Sequence, residues 1–98
     1  MPALPFDAEA LATLCERYRI RRLAVFGSVL RGEDRPSSDL DVLVEFRPYA
    51  APGLAFITLQ NELTALFRRP VDLVTPGFLS PHFRARVLLE ASPLYEAA

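Results

Sequence analysis

The run Leu40-Asp-Val-Leu-Val-Glu-Phe46 is apolar enough to lie inside a fold, yet it carries Asp41 at its second position and Asp39 just before it. On a strand, residues i and i+2 point to the same face, roughly 6.6–6.8 Å apart along the chain. Two carboxylates so placed repel each other and lose solvation. A third aspartate, Asp72, stands inside Val71-Asp72-Leu73-Val74, where a charge is again expensive. A divalent cation between such carboxylates offsets both costs, and Mg²⁺ is held by one or two carboxylates plus the phosphate oxygens of a substrate. If the strand of Asp72 lies beside that of Asp39 and Asp41, the three converge. That is enough for two ions roughly 3.5–4 Å apart and an in-line displacement at phosphorus. Asp39, at a strand start, can equally cap a turn. Asp41 and Asp72, inside apolar strands, are harder to explain that way.

The rest of the chain supplies strands and helices around these positions. Asp7 is a good helix N-cap, with Phe6 and Leu11 placed for a hydrophobic staple. Leu11, Leu14, Cys15 and Tyr18 follow the helical period, predicting a helix from about Asp7 to Tyr18. Arg22 to Phe26 predicts a buried strand ending in Gly27-Ser28. Val29 to Arg31 predicts one helical turn stopped by Gly32, and Glu33 to Ser38 a polar loop. Asp39 to Phe46 is the second strand, and Arg47 to Gly53 a loop. Leu54 to Phe67 is a helix with Phe56, Leu59, Leu63 and Leu66 on one face. Pro70 to Val74 is the third strand, broken by Pro76-Gly77. Ser80 caps a last helix with Pro81 in its first turn and Phe83, Val87 and Ala91 as its inner stripe. Three strands with intervening helices predict an α/β or α+β fold, a small sheet flanked by helices.

Composition narrows the function classes. The 98 residues predict a single domain over 1–98, and a hydrophobic fraction of 51% excludes a disordered tail. A net charge of −1 argues against a broad basic surface for nucleic acid. The 11 basic residues are all arginine; arginine suits forked phosphate contacts, though codon bias gives the same pattern. The lone Cys15 allows neither an internal disulfide nor a cysteine-rich metal site. No apolar run approaches the roughly 20 residues of a membrane span. The start, MPALPFDAEA, lacks a basic head and a long apolar stretch, so a cytoplasmic location is expected. His82 reads as a solvated surface residue and Cys15 as core. Arg68-Arg69 form a charged helix end, and Tyr18, Tyr49 and Tyr95 are packing residues.

Gly27-Ser28 is a weak signal alone, since the pair occurs in many strand exits. A glycine lets backbone approach a phosphate, the following N–H groups face an anion, and the serine hydroxyl adds a donor. The absence of lysine excludes a Walker-type loop. Spacing strengthens the signal: Gly27-Ser28, ten residues, then Asp39-Leu40-Asp41. Such a pattern arises by accident in about one chain in a thousand of this length.

The pattern Gly27-Ser28-x10-Asp39-x-Asp41, followed by a strand carrying Asp72, resembles the nucleotidyltransferase superfamily that includes DNA polymerase beta. The stretch GSVLRGEDRPSSDLDVLVEF and the tail segments VDLVTP and LLEASPLYE look like its minimal nucleotidyltransferase (MNT) group. The resemblance implies a polymerase-beta-type core, a mixed sheet flanked by helices. It implies nucleotide binding at Gly27, Ser28 and Arg31, and catalysis and metal binding at Asp39, Asp41 and Asp72. It also implies two Mg²⁺ ions, with ATP as substrate. The implied partner is a small helical HEPN toxin in a hetero-oligomer, neutralised by AMP transfer to a hydroxyl, a tyrosine in several relatives. Two alternatives stay open: an antitoxin that neutralises by binding alone, and transfer to a small molecule. The absence of a second domain to hold a small acceptor counts against the latter.

Overall fold

The computed structural model describes residues 5–27, 39–48, 50 and 53–97. The predicted turn at Val29 to Arg31 and the loop at Glu33 to Ser38 lie outside them, as do Ser28 and Tyr49. Asp7 starts the first helix, α1 (Ala8–Arg17): its carboxylate accepts from the N–H groups of Glu9 (3.0 Å) and Ala10 (3.2 Å), two of the donors a helix start leaves unpaired. Leu11, Leu14 and Cys15 are its buried stripe. Phe6 packs edge-on against Phe67, with ring centroids 5.5 Å apart. Burial, aided by Glu16, pushes the Cys15 thiol up to about 12, so it packs as a small apolar group.

Arg19, with φ of 57°, turns the chain into β1 (Ile20–Phe26), which starts two residues before the predicted Arg22. A register shift between Ile20 and Arg22 against β2 (Leu40–Phe46) explains its pattern. The extra residue lets both Ile20 and Leu23 face the core, and sends Arg21 and Arg22 to Glu45 at 2.5 and 3.2 Å. From β2 the chain crosses through α2 (Ala55–Phe67) to β3 (Val71–Val74), parallel to β2. Parallel neighbours require such a crossover. A 3-10 turn at Pro76–Phe78 leads to α3 (Pro81–Glu90), capped by Ser80 with Pro81 in its first turn.

The chain then forms a strand that periodicity did not predict, β4 (Ser92–Glu96). It pairs antiparallel with β1, Val25 opposite Ser92 and Ala24 opposite Pro93. Proline is tolerated on an edge strand, and β4 is an edge. Among the described residues the sheet is mixed, in the order β3-β2-β1-β4. No helix there is long and apolar enough to cross a membrane.

Helices α1 and α2 cover one face, where Leu11, Leu14, Leu59, Leu63 and Phe67 meet Leu23, Val25, Leu40, Val42, Val44, Val71 and Leu73. Helix α2 also seals the edge of β3. Thr64 Oγ1 accepts from Val71 N–H (3.2 Å) and Gln60 Oε1 from Leu73 N–H (3.1 Å), so these edge donors are paired. Residues of the opposite face, Ala24 and Leu43, are also buried, together with Val87 and Ala91 of α3 and its flank. Phe83, expected in that inner stripe, is 48% exposed instead. It belongs to the first turn of α3, at the rim of a cavity rather than over the sheet.

The end of α1 is tied to α2 by polar bonds. Tyr18 Oη donates to Glu62 Oε2 (2.5 Å), and Arg17 Nη1 donates to Glu62 Oε1 (2.9 Å). These bonds, the tyrosine's first, hold the Glu62 carboxyl below its ordinary value, while the same hydroxyl bond pushes Tyr18 up. A lowered carboxyl contributes stability above its unfolded value, and that contribution is lost as pH falls through the folded value. The difference in denaturant midpoint between the wild type and Glu62→Gln is therefore expected to hold steady between about pH 6 and 8. It should shrink once pH drops below the ordinary value of 4.5. Leu63, fully buried between α2 and the sheet, should lower the unfolding free energy by about 2–5 kcal/mol when changed to alanine, measured by urea titration.

Candidate active site

The apolar residues of β2 and β3 decide where the acids go. Leu40, Val42, Val71 and Leu73 face the main core, so alternation turns Asp41 and Asp72 to the other face. The parallel register sets Asp41 directly opposite Asp72, about 4.8 Å away at the backbone. On the other side of β2, Asp41 pairs with Phe26, so the three residues form a row across the sheet. Asp39 lies just before β2 and is exposed, as is Asp72; Asp41 is half-buried. Leu40 N–H donates to Pro70 O (2.8 Å), fastening the start of β2 to the residue before β3. The three acidic positions therefore sit at one end of two neighbouring strands.

Gly27 closes the row. It follows Phe26 with φ of +79°, a conformation glycine adopts without penalty. A Cβ placed there would overlap Asp41 Oδ2 and lie 3.2 Å from its Cγ. The bare glycine is thus what lets the Asp41 carboxylate lie against the turn. Ser28 and Arg31, expected as nucleotide ligands, lie outside the described residues. Among the described residues, no three histidine, cysteine or carboxylate side chains converge closely enough to hold an ion as they stand. The backbone brings the three aspartate positions together without drawing their carboxyl groups into a cluster of ligating dimensions. Hard carboxylate oxygens on adjacent strands are the donor type that suits Mg²⁺.

Sequence reasoning did not find the cavity beside this turn. It holds about 160 Å³ and, among the described residues, is lined by Phe26, Gly27, Phe83, Arg86, Val87 and Glu90. Helix α3 reaches the turn only through the fold. The local signal in the sequence was no more than an Arg-x-x-x-Glu pair on a helix.

Gly27 and Gly53 offer a matched comparison, since both have positive φ and nothing lies within 4 Å of a Cβ at Gly53. Gly53→Ala should destabilise by about 1–2 kcal/mol from backbone conformation alone. Gly27→Ala should cost more, because the Asp41 carboxylate must also move. Parallel urea titrations of the two variants check the order.

The model of the nucleotidyltransferase domain family matches residues 8–95 of this chain. The chain is 42% identical over 77 residues to the protein adenylyltransferase MntA of Thermococcus cleftensis, covering 79% of this chain and 77% of that protein. It is similar to a solved minimal nucleotidyltransferase at 43% identity and a TM-score of 0.73, covering 88% of this chain and 87% of that one. At 18% identity it shares a fold, with a TM-score of 0.58, with a structure of an MNT antitoxin in complex with the tri-AMPylated HEPN toxin of Shewanella oneidensis. That match covers 92% of this chain and 70% of the other. By these matches, the chain belongs to the nucleotidyltransferase domain family, in its minimal group.

Proposed function

We propose that this chain is an Mg²⁺-dependent protein adenylyltransferase that serves as an antitoxin. It transfers AMP from ATP to a hydroxyl, a tyrosine, of a partner HEPN toxin in a hetero-oligomer and so neutralises it. The observation that carries this reading is the register that sets Asp41 opposite Asp72 beside the Gly27 turn. The 42% identity to a protein adenylyltransferase and the likeness to an antitoxin bound to its AMPylated toxin support the substrate class and the partner. Exposed apolar side chains also suit a protein partner. Leu54 and Ile57 near the start of α2 are exposed, as is Phe78, whose ring lies 6.3 Å from that of Phe56.

Each residue then has a task. Asp39 and Asp41 would hold two Mg²⁺ ions, with Asp72 on one of them. Bound there, Mg²⁺ supplies charge neutralisation for the departing pyrophosphate and a lowered pKa for the attacking hydroxyl. The Gly27 turn, the Ser28 hydroxyl and Arg31 hold the triphosphate. Asp72, exposed at the rim, receives or steers the proton of the acceptor hydroxyl. That oxygen attacks the α-phosphorus, pyrophosphate leaves, and AMP remains on the acceptor as a phosphodiester. A partner protein brings the acceptor with its own surface.

Intact mass of a coexpressed partner tests the reading. With the wild type the partner should gain one or more AMP units. With Asp39→Ala/Asp41→Ala, or after removal of divalent cations with a chelator in a reconstituted reaction, it should gain none. Full neutralisation by the double variant, with no mass change under any condition, would overturn catalysis and leave an antitoxin that acts by binding.

A further inference from the structure

The site described above is rich in negative charge, and a nucleoside triphosphate is a polyanion. Beyond the metal ions and Arg31, a cation on the flank away from the aspartates would offset more of that charge, and among the described residues Arg86 is the cation lining the cavity at Gly27. Its neighbour Arg84 is already committed. Arg84 Nε and Nη2 donate to the carbonyls of Pro76 (2.7 Å) and Leu79 (3.0 Å), pinning α3 to the 3-10 turn. Arg86 has a looser attachment: Nε donates to Glu90 Oε1 at 3.3 Å, one helical turn on, with side chains 74% and 58% exposed. An exposed pair of this kind is weak and readily exchanged for a better partner.

Guanidinium chemistry fits the place. Its planar fork of donors matches the oxygens of a phosphate, where it forms short charge-assisted bonds. Gly27 borders the same cavity, its backbone in the left-handed region and its open side already taken by the Asp41 carboxylate. The cavity between them is walled by Phe26, which the register places beside Asp41. A nucleotide whose α-phosphate lies at the aspartates would therefore have room for its tail on the β1 side of the sheet.

Building on the reading of this site as a nucleotide site, we propose that Arg86 exchanges Glu90 for the terminal phosphates of ATP, the cavity at Gly27 receiving that end of the nucleotide. Calorimetric titration of the whole chain with ATP and with AMP, both with Mg²⁺, tests it. Arg86→Gln should weaken ATP binding about tenfold or more while leaving AMP binding within about twofold, because AMP lacks the terminal phosphates. Arg86→Lys, which keeps the charge and loses the fork, should recover part of the ATP affinity. A merely structural role for the Arg86–Glu90 pair would not change the ratio of ATP to AMP affinity, and unchanged thermal unfolding confirms that the variants are folded. Equal ATP binding by wild type and Arg86→Gln overturns the proposal. Equal losses for ATP and AMP overturn it as well, by placing Arg86 against the nucleoside. A wild type that binds neither nucleotide overturns the underlying reading of the site together with this one.

Discussion

Asp41 and Asp72 face each other across a parallel strand pair because the residues on either side of them cannot be anywhere else. The two strands are about 4.8 Å apart, and like charges placed directly opposite each other work against the pairing. Opposing that are Leu40, Val42, Val71 and Leu73, all buried on the reverse face, each contributing about 1.5–3 kcal/mol. The apolar side wins, so the register survives the repulsion. A slip of β3 by one residue would bury Asp72 and turn Val71 and Leu73 away from the core. The electrostatic tension at the site is thus maintained by packing on the opposite side of the sheet.

Both faces of the sheet are used, for different ends. The face under α1 and α2 is continuous core. The other is closed at its middle, where Ala24 and Leu43 are buried alongside Val87 and Ala91. Beyond that patch the same face carries Phe26, Asp41 and Asp72 in register. Helix α3 divides the face: its Val87 anchors it, and its Arg86 and Glu90 line the cavity by the Gly27 turn. One short helix thereby serves stability along one side and borders the site along another.

Much of this was legible from residues alone, and what was not shares a physical cause. The start of α1 at Asp7 and of α3 at Ser80-Pro81 follow from side-chain and ring chemistry that acts within a few residues. Charges in the apolar runs at Asp41 and Asp72 marked those positions as unusual, but only strand pairing sets them side by side. The β4 strand escaped notice because Ser92-Pro-Leu-Tyr-Glu96 has weak alternation and a proline; its extended form comes from pairing with β1. The place of Arg86 beside Gly27 depends on the return of the chain along β4, which no local pattern encodes.

The crossover through α2 has a consequence for how such a domain comes into being. Antiparallel β1 and β2 can meet early, and with them Phe26, Gly27 and Asp41. Asp72 reaches its neighbour only after the whole helix has docked and the parallel pair has closed, the kind of long-range contact that forms slowly. A chain folded only as far as the β1–β2 pair would hold the Gly27 turn and one strand of acids but lack the opposing carboxylate. Competence for chemistry is coupled to completion of the fold.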